Sequence, residues 1–291
     1  MATVDYALEI KGLSKSYRDF KLNDVSFALP KGYIMGLIGP NGAGKTTVIK
    51  LILNLLRREG GEIRVFGRDN REGEVEVKRR IGFVHDTPFF CDHMTCRRLK
   101  DSVAPFYRDW DEALFRRLME EFDLPLGKRF SRLSRGMKMK FSLALALSHN
   151  ADLLVLDEPT SGLDPVFRRE LLGRLSAFLQ DGGKSVLFST HITTDLERIA
   201  DFVTFIRDGA VVFSAAKDEI LERWAVVKGG PELLAEEHRG LLQGVRKREF
   251  VVQAVSADAA EARRRLGKTA LIERASLEDI MFYLTRGNGH A

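Results

Sequence analysis

The sequence lacks the usual features of a membrane-spanning or secreted chain. Its 291 residues include two cysteines, too few for a disulfide framework, which favours a reducing compartment. The longest stretch without Asp, Glu, Lys or Arg covers 13 residues, 32–44, whereas a spanning helix needs about 20 mostly apolar residues. The start of the chain has no basic segment and carries Asp5 and Glu9, unlike a secretory signal. We therefore expect a soluble intracellular protein.

A strong net charge is also missing. The chain has 46 Lys and Arg against 41 Asp and Glu, which gives a formal net charge of +5. Its short basic clusters, such as residues 78–80 and 263–265, are interrupted by acidic residues elsewhere, as is usual for solvated surfaces. We therefore expect no nucleic-acid partner.

The pattern of apolar residues predicts an α/β protein. From residue 8 to about 66, short β-branched runs are broken by Gly and Pro, and one helix is predicted over 45–56. Residues 89–150 are typical of helices, with aromatic residues that we expect in the core. Strand and helix patterns then alternate, including a predicted helix over 165–180, which indicates a mostly parallel sheet with helical crossovers.

The alternation weakens after residue 217, where a Gly-Gly-Pro break follows at 229–231. Near the end of the chain, Ser276 and Asp279 have the spacing of a capping box and predict a final helix. We therefore expect residues 218–291 to form a small α+β appendage.

A glycine-rich segment carries the first chemical signal. It matches G-x-x-x-x-G-K-[ST], follows a predicted strand and precedes a predicted helix. Glycines let successive N–H groups point at phosphate oxygens, and the start of the helix adds the positive end of its dipole. The lysine would reach the β- and γ-phosphates and the first threonine would ligate Mg²⁺. The candidate phosphate-binding residues are Gly39, Pro40, Asn41, Gly42, Ala43, Gly44, Lys45, Thr46 and Thr47.

Two carboxylates follow a run of four apolar residues. Asp157 and Glu158 stand where a buried strand, 153–156, would end, and ligands of doubly wound sheets bind at such ends. Asp157 is suited to hold Mg²⁺, directly or through water. Glu158 is the candidate general base that activates the attacking water.

Four further segments resemble motifs of a known ATPase family. Residues 133–137, Leu-Ser-Arg-Gly-Met, resemble its signature Leu-Ser-Gly-Gly-Gln, and residues 160–164 resemble its D-loop. Thr190-His191 resembles its switch histidine, and Tyr17 matches the aromatic residue that stacks on adenine. Taken in chain order with the two segments above, these motifs resemble those of the ATP-binding subunit of an ABC transporter, and the resemblance covers roughly residues 8–217.

The resemblance implies a fold and a set of roles. The fold is an α/β P-loop NTPase with an ABC cassette over 1–217, made of an antiparallel β subdomain, a parallel-sheet core and a helical subdomain at about 87–150. His191 would contact the γ-phosphate and hold Glu158 and the water in place. Ser134 and Gly136 would bind the γ-phosphate held by a second copy of the cassette across a head-to-tail interface, and Arg135 and Asp164 are further candidate nucleotide-binding residues.

Two segments depart from the family pattern. Asp86 stands where the family usually has Gln, so that a carboxylate able to ligate Mg²⁺ replaces an amide. Arg135 and Met137 replace Gly and Gln of the signature, and Arg135 either strengthens the attraction for phosphate or faces solvent. Together with other short segments, these departures make the sequence resemble a bacterial subgroup whose members serve type-2 exporter-like transporters for peptides or antibiotics.

The resemblance also implies partners and a location. ATP and Mg²⁺ would be the cofactors, and hydrolysis would drive a separately encoded integral-membrane permease. The chain would form a homodimer, or a heterodimer with a related ATPase subunit, and lie peripherally on the cytoplasmic face of the cell membrane.

Other functions stay open at this point. A soluble member of the superfamily would act on ribosomes or DNA, but those proteins usually carry two cassettes or long coiled coils, and Lys45 and Ser134 are only 89 residues apart. A regulator without turnover is disfavoured by the intact acidic pair and histidine. A metal site at Cys91, His93 and Cys96 would have three candidates at an unusual spacing, so we expect these residues in the part facing the membrane partner.

Overall fold

The structure, a computed structural model, describes residues 5–88, 90–238, 240–248 and 251–286. It has two compact units. The first contains Met1–His191 and Thr204–Val212, and the second contains Ile192–Val203 and Phe213–Ala291.

The strands, in chain order, are β1 (Tyr6–Ser16), β2 (Lys21–Pro30), β3 (Ile34–Ile38), β4 (Gly60–Val65), β5 (Arg68–Asp69), β6 (Ile81–Val84), β7 (Leu153–Asp157), β8 (Ser185–Thr190), β9 (Phe202–Arg207), β10 (Ala210–Ala216), β11 (Ala225–Gly229), β12 (Gln243–Arg248), β13 (Val251–Ser256) and β14 (Ala270–Arg274).

The helices are α1 (Lys45–Ile52), α2 (Glu74–Arg79), α3 (Cys96–Val103), α4 (Glu112–Glu121), α5 (Arg135–Leu147), α6 (Pro165–Phe178), α7 (Thr193–Ile199), α8 (Lys217–Arg223), α9 (Ala259–Leu266) and α10 (Leu277–Arg286). Within the described residues, no helix has the length and apolar character that crossing a bilayer requires.

Two sheets contain strands β1–β8, which all belong to the first unit. An antiparallel sheet has the strand order β2-β1-β4-β5, and a second sheet has the order β10-β9-β3-β8-β7-β6. In the second sheet β3 pairs with β8, β8 with β7, and β7 with β6, all in parallel. Every residue of β3, β7 and β8 is buried, as expected for strands covered on both faces. The expected α/β fold with a parallel core is confirmed.

Helices α3, α4 and α5 lie between β6 and β7 in the chain and share an aromatic core. Phe130 and Phe141 are buried, and the Phe90 ring packs edge-on against both at 5.3 and 5.8 Å between centroids. Phe115 reaches Phe141 at 6.4 Å. The expectation that the aromatic residues pack in the core is confirmed for Phe115 and wrong for Phe106, whose side chain is 73% exposed.

Helix α1 begins at Lys45 as predicted but ends at Ile52, four residues before the predicted end. The side-chain amide of Asn70, itself buried, donates to the carbonyls of Leu51 and Ile52 at 2.8 and 2.9 Å. These bonds satisfy two of the carbonyls that a helix end leaves unpaired. Asn54 then takes a left-handed backbone conformation with φ of 50°, which stops the helix.

The second unit is built on the antiparallel sheet β12-β13-β11-β14. One cluster of buried side chains joins the sheet to α9 and includes Val227, Val252, Ala262 and Leu266. The predicted capping box is confirmed, because the Ser276 hydroxyl accepts from the Asp279 N–H and the Asp279 carboxylate accepts from the Ser276 N–H, both at 3.0 Å.

His149 is a buried titratable group in the first unit. The side chain is 4% exposed, and its ring stacks on that of Tyr107 with centroids 3.9 Å apart. Burial lowers the pKa of His149 to about 4 because the charged imidazolium loses its hydration. The folded protein therefore holds this histidine neutral at pH 7.

We predict that His149 makes the protein sensitive to mild acid. Between pH 6.5 and pH 4 the unfolded chain binds a proton at His149 that the folded chain does not. As the pH is lowered through this range, His149 therefore reduces the free energy of unfolding by about 3 kcal/mol. Urea unfolding of the wild type and of His149→Phe between pH 7 and pH 4 measures the difference. Parallel pH profiles of the two proteins would contradict the prediction.

Candidate functional site

Lys45 anchors the glycine-rich loop that joins β3 to α1. Its side chain is 7% exposed, and Nζ donates to the carbonyl oxygens of Gly39 at 2.8 Å and Pro40 at 3.3 Å. Nζ also lies 3.5 Å from Oε1 of Glu158. The loop therefore curls around its own lysine and brings it to the acidic end of β7.

The remaining loop residues shape the start of α1. Asn41 and Gly42 are exposed, whereas Ala43 is buried and its carbonyl accepts from the Gly209 N–H at 3.3 Å. Thr47 lies half-buried in the first turn of the helix. Gly44 caps the helix with φ of 109°, a conformation that L side chains rarely adopt.

The end of the β1–β2 hairpin covers this loop. A Cβ atom on Gly44 would lie 2.6 Å from Leu22 Cδ2 and 2.8 Å from Phe20 Cζ, so both side chains would have to move, and the φ of 109° would strain any residue with a side chain. The Tyr17 N–H donates to the Phe20 carbonyl at 2.7 Å, and the Tyr17 side chain is 44% exposed. An accessible aromatic ring thus belongs to the turn that packs on the loop.

Three oxygen-bearing side chains meet at the carboxyl ends of β7 and β8. The Thr46 hydroxyl donates to Asp157 Oδ2 at 2.9 Å, and the Ser189 hydroxyl donates to Asp157 Oδ1 at 2.6 Å. Asp157 is 1% exposed, so its carboxylate depends on these donors. Hydroxyl and carboxylate oxygens are the ligands that Mg²⁺ prefers, and Mg²⁺ sites often use only one or two carboxylates, so this donor set fits the ion.

Glu158 is held in a strained backbone conformation. Its φ is 49°, in the left-handed region that costs a residue with a side chain about 1–3 kcal/mol. The Glu158 N–H lies 3.0 Å from Ser189 Oγ, which accepts from it, and the side chain is 14% exposed. Oε2 lies 2.8 Å from Nδ1 of His191, whose side chain is 47% exposed. The carboxylate therefore lies between a buried ammonium and an accessible imidazole.

The signature-like segment lies at the start of α5. Ser134 caps this helix by accepting from the Met137 N–H at 3.2 Å, and Ser134 and Arg135 are exposed while Gly136 is half-buried. Asp164 is also exposed and caps α6 by accepting from the N–H groups of Val166 and Phe167. The pKa of the Asp164 carboxyl lies below its usual range, and the hydrogen bond from the Phe167 N–H is the main cause.

Asp86 follows the carboxyl end of β6, the strand beside β7. Its Oδ1 lies 3.0 Å from Nδ1 of His85, and the carboxylate is 40% exposed. It therefore belongs to the same edge of the sheet as Asp157.

The spacing Cys-x-His-x-x-Cys does not produce a metal centre. Cys91 Sγ lies 3.8 Å from His93 Nε2, but Cys96 is buried at the start of α3, and burial raises the pKa of its thiol. Over the described ranges, no group of three or more His, Cys, Asp or Glu residues is arranged to hold a metal ion.

Ser189 and Phe20 were missed by the sequence motifs. Ser189 pairs in register with Asp157 across β7 and β8, and it bonds both the carboxylate of that residue and the N–H of Glu158. Its position directly before Thr190-His191 was the available signal. Phe20 had no signal, since its role comes from the hairpin folding over Gly44.

Comparisons with known proteins point to one family. The sequence profile of the family described as "ABC transporter" matches residues 22–161. The bacitracin transport ATP-binding protein BcrA of Enterococcus faecalis is 32% identical over 77% of this chain and 73% of the relative. The lantibiotic transport ATP-binding protein SrtF of Streptococcus pyogenes is 33% identical over 72% of this chain and 91% of the relative.

A solved structure described as the ATP-binding subunit of an ABC transporter shares the fold. It is 32% identical, with a TM-score of 0.68, and the match covers 76% of this chain and 92% of that one. The motifs, the fold and the relatives lead to the same assignment. The chain belongs to the ABC transporter ATP-binding proteins and carries their ATPase domain.

Proposed function

We propose that this chain is the motor subunit of an exporter, which binds MgATP between two cassettes and drives a separately encoded membrane permease. The observation that carries the proposal is the cluster of Lys45, Thr46, Asp157, Glu158 and His191, whose members are linked by contacts of 2.8–3.5 Å. The names of the bacitracin and lantibiotic relatives support peptide or antibiotic-like substrates.

Residues 39–47 bind the triphosphate in this proposal. The backbone N–H groups of the loop and the start of α1 face the phosphate oxygens, and the buried ammonium of Lys45 binds the β- and γ-phosphates. Tyr17 stacks on adenine, which its accessible ring supports. A γ-phosphate competes with Glu158 for Lys45, so nucleotide binding frees the Glu158 carboxylate for catalysis.

Thr46 and Asp157 would hold Mg²⁺, with Asp86 reaching it from the end of β6. The ion would neutralise part of the charge on the β- and γ-phosphates. Glu158 accepts a proton from the attacking water, and His191 keeps the carboxylate oriented through its 2.8 Å contact while it touches the γ-phosphate.

The second copy completes the site. Ser134 and Gly136 bind the γ-phosphate held by the partner cassette, and Asp164 belongs to the same interface. These residues are exposed or half-buried and stand at helix starts, where N–H groups favour anions. The partner cassette is a second copy of this chain or a related ATPase subunit. The dimer lies peripherally on the cytoplasmic face of the membrane through its permease.

We predict that Glu158→Gln traps the dimer. Loss of the general base lowers ATP turnover by about 10²- to 10⁴-fold, while the phosphate-binding residues stay intact. Because ATP persists, the variant should elute as a dimer with MgATP in size-exclusion chromatography and as a monomer without it. A variant that binds ATP but stays monomeric would refute the two-copy site.

We predict that Lys45→Ala weakens ATP binding itself. Loss of charge-assisted hydrogen bonds worth about 1.5–3 kcal/mol raises the ATP dissociation constant about 10- to 100-fold. Calorimetric titration measures the constant. Lys50→Ala, which removes a lysine from the last turn of the same helix, serves as the control and should bind ATP normally. If Lys45→Ala bound ATP as tightly as the wild type, Lys45 would not be a phosphate-binding residue.

We predict that Asp86→Ala changes the Mg²⁺ dependence of hydrolysis. Loss of one carboxylate at the metal raises the Mg²⁺ concentration for half-maximal ATPase activity about tenfold. Asp92→Asn, which neutralises an exposed carboxylate in the loop before α3, is the control. An identical Mg²⁺ titration for Asp86→Ala and the wild type would contradict this assignment.

A further inference from the structure

Arg135 packs against the D-loop of its own chain. Its Nη1, Cζ and Nε atoms lie 3.1, 3.3 and 3.5 Å from the position that a Cβ atom on Gly162 would take. Three atoms of the guanidinium group therefore lie beside Gly162, at the place where a side chain would stand. Gly162 carries no charged group, so this contact is packing of a planar group and not an ion pair.

Gly162 is suited to this contact in two ways. Its φ is 72°, in the left-handed region that glycine adopts without strain. It also has no side chain to displace the guanidinium. A lysine at position 135 would have a compact ammonium on a flexible stem, which cannot cover a backbone segment in the same way.

The contact continues along the helix that Arg135 begins. A Cβ atom on Gly136 would lie 4.0 Å from Leu163 Cδ2. One turn later, Lys140 Nζ lies 4.5 Å from the centre of the Phe167 ring. Three contacts therefore join the start of α5 to residues 162–167, and Arg135 makes the most exposed of them.

We propose that Arg135 is a positioning residue that holds the D-loop against the start of α5, so that Ser134 and Asp164 reach the partner cassette as one rigid surface. This inference rests on the two-copy site proposed above and gives a role to a residue at which the signature departs from the family pattern. Arg135 acts through Gly162 and not through its charge on the phosphate.

The test separates shape from charge. Arg135→Lys keeps the charge and loses the planar group, whereas Arg135→Gln loses both. We expect each variant to lower kcat for ATP hydrolysis about tenfold, the order of loss that misplaced groups cause, with ATP affinity of the monomer unchanged. Arg132→Gln, which removes an exposed cation three residues earlier, should match the wild type. Wild-type turnover in Arg135→Lys with a loss in Arg135→Gln would assign the residue to phosphate attraction and overturn the inference.

A second measurement links the effect to Gly162. Gly162→Ala disturbs the same contact and also strains a backbone with φ of 72°, so it should lower kcat. Its combination with Arg135→Gln should lower kcat by less than the product of the two separate losses, since both changes disturb one contact. Losses that multiply would contradict a shared contact.

The Glu158→Gln background distinguishes this inference from the proposed function. There, adding Arg135→Lys should raise the dissociation constant of the ATP-bound dimer about tenfold. If Glu158→Gln alone fails to dimerise with ATP, the two-copy site fails. If it dimerises and Arg135→Lys leaves the constant unchanged, only the role of Arg135 fails.

Discussion

The site depends on one buried ammonium group. Lys45 is almost fully buried, and a buried cation is costly unless oxygen atoms surround it. Two carbonyls of its own loop and the Glu158 carboxylate meet that need, which fixes the curl of residues 39–44 and ties the loop to the end of β7. The bond from Thr46 to Asp157 is a second tie between the same elements. The parallel sheet makes both possible, because β3, β7 and β8 end at one edge.

The same contacts explain how binding and hydrolysis are coupled in the proposed function. Glu158 pairs with Lys45 on one side and His191 on the other, and its left-handed backbone is secured by Ser189. A triphosphate brings more negative charge to Lys45 than one carboxylate does, so binding redistributes these pairs. The residues proposed to reach the partner stand outside this cluster on exposed turns, which is where a second molecule has access.

Short motifs predicted residues that the fold brings together, because these residues are contiguous and stand at the ends of strands. Lys45 and Thr46 belong to one motif, Asp157 and Glu158 to another, and the alternating pattern predicted the parallel sheet. What could not be predicted depends on distant parts of the chain. Asn70 bonds the carbonyls at the early end of α1, Phe20 packs over Gly44, and Gly162 contacts Arg135. Phe106 was misplaced because apolar character alone does not say which aromatic residues face solvent.

A crystal structure of the Glu158→Gln protein with MgATP tests the central claim most directly. The account predicts two nucleotides, each with its γ-phosphate bound by Lys45 of one protomer and by Ser134 of its partner. A structure in which every contact to the nucleotide comes from a single chain, with Ser134 facing solvent, would contradict it.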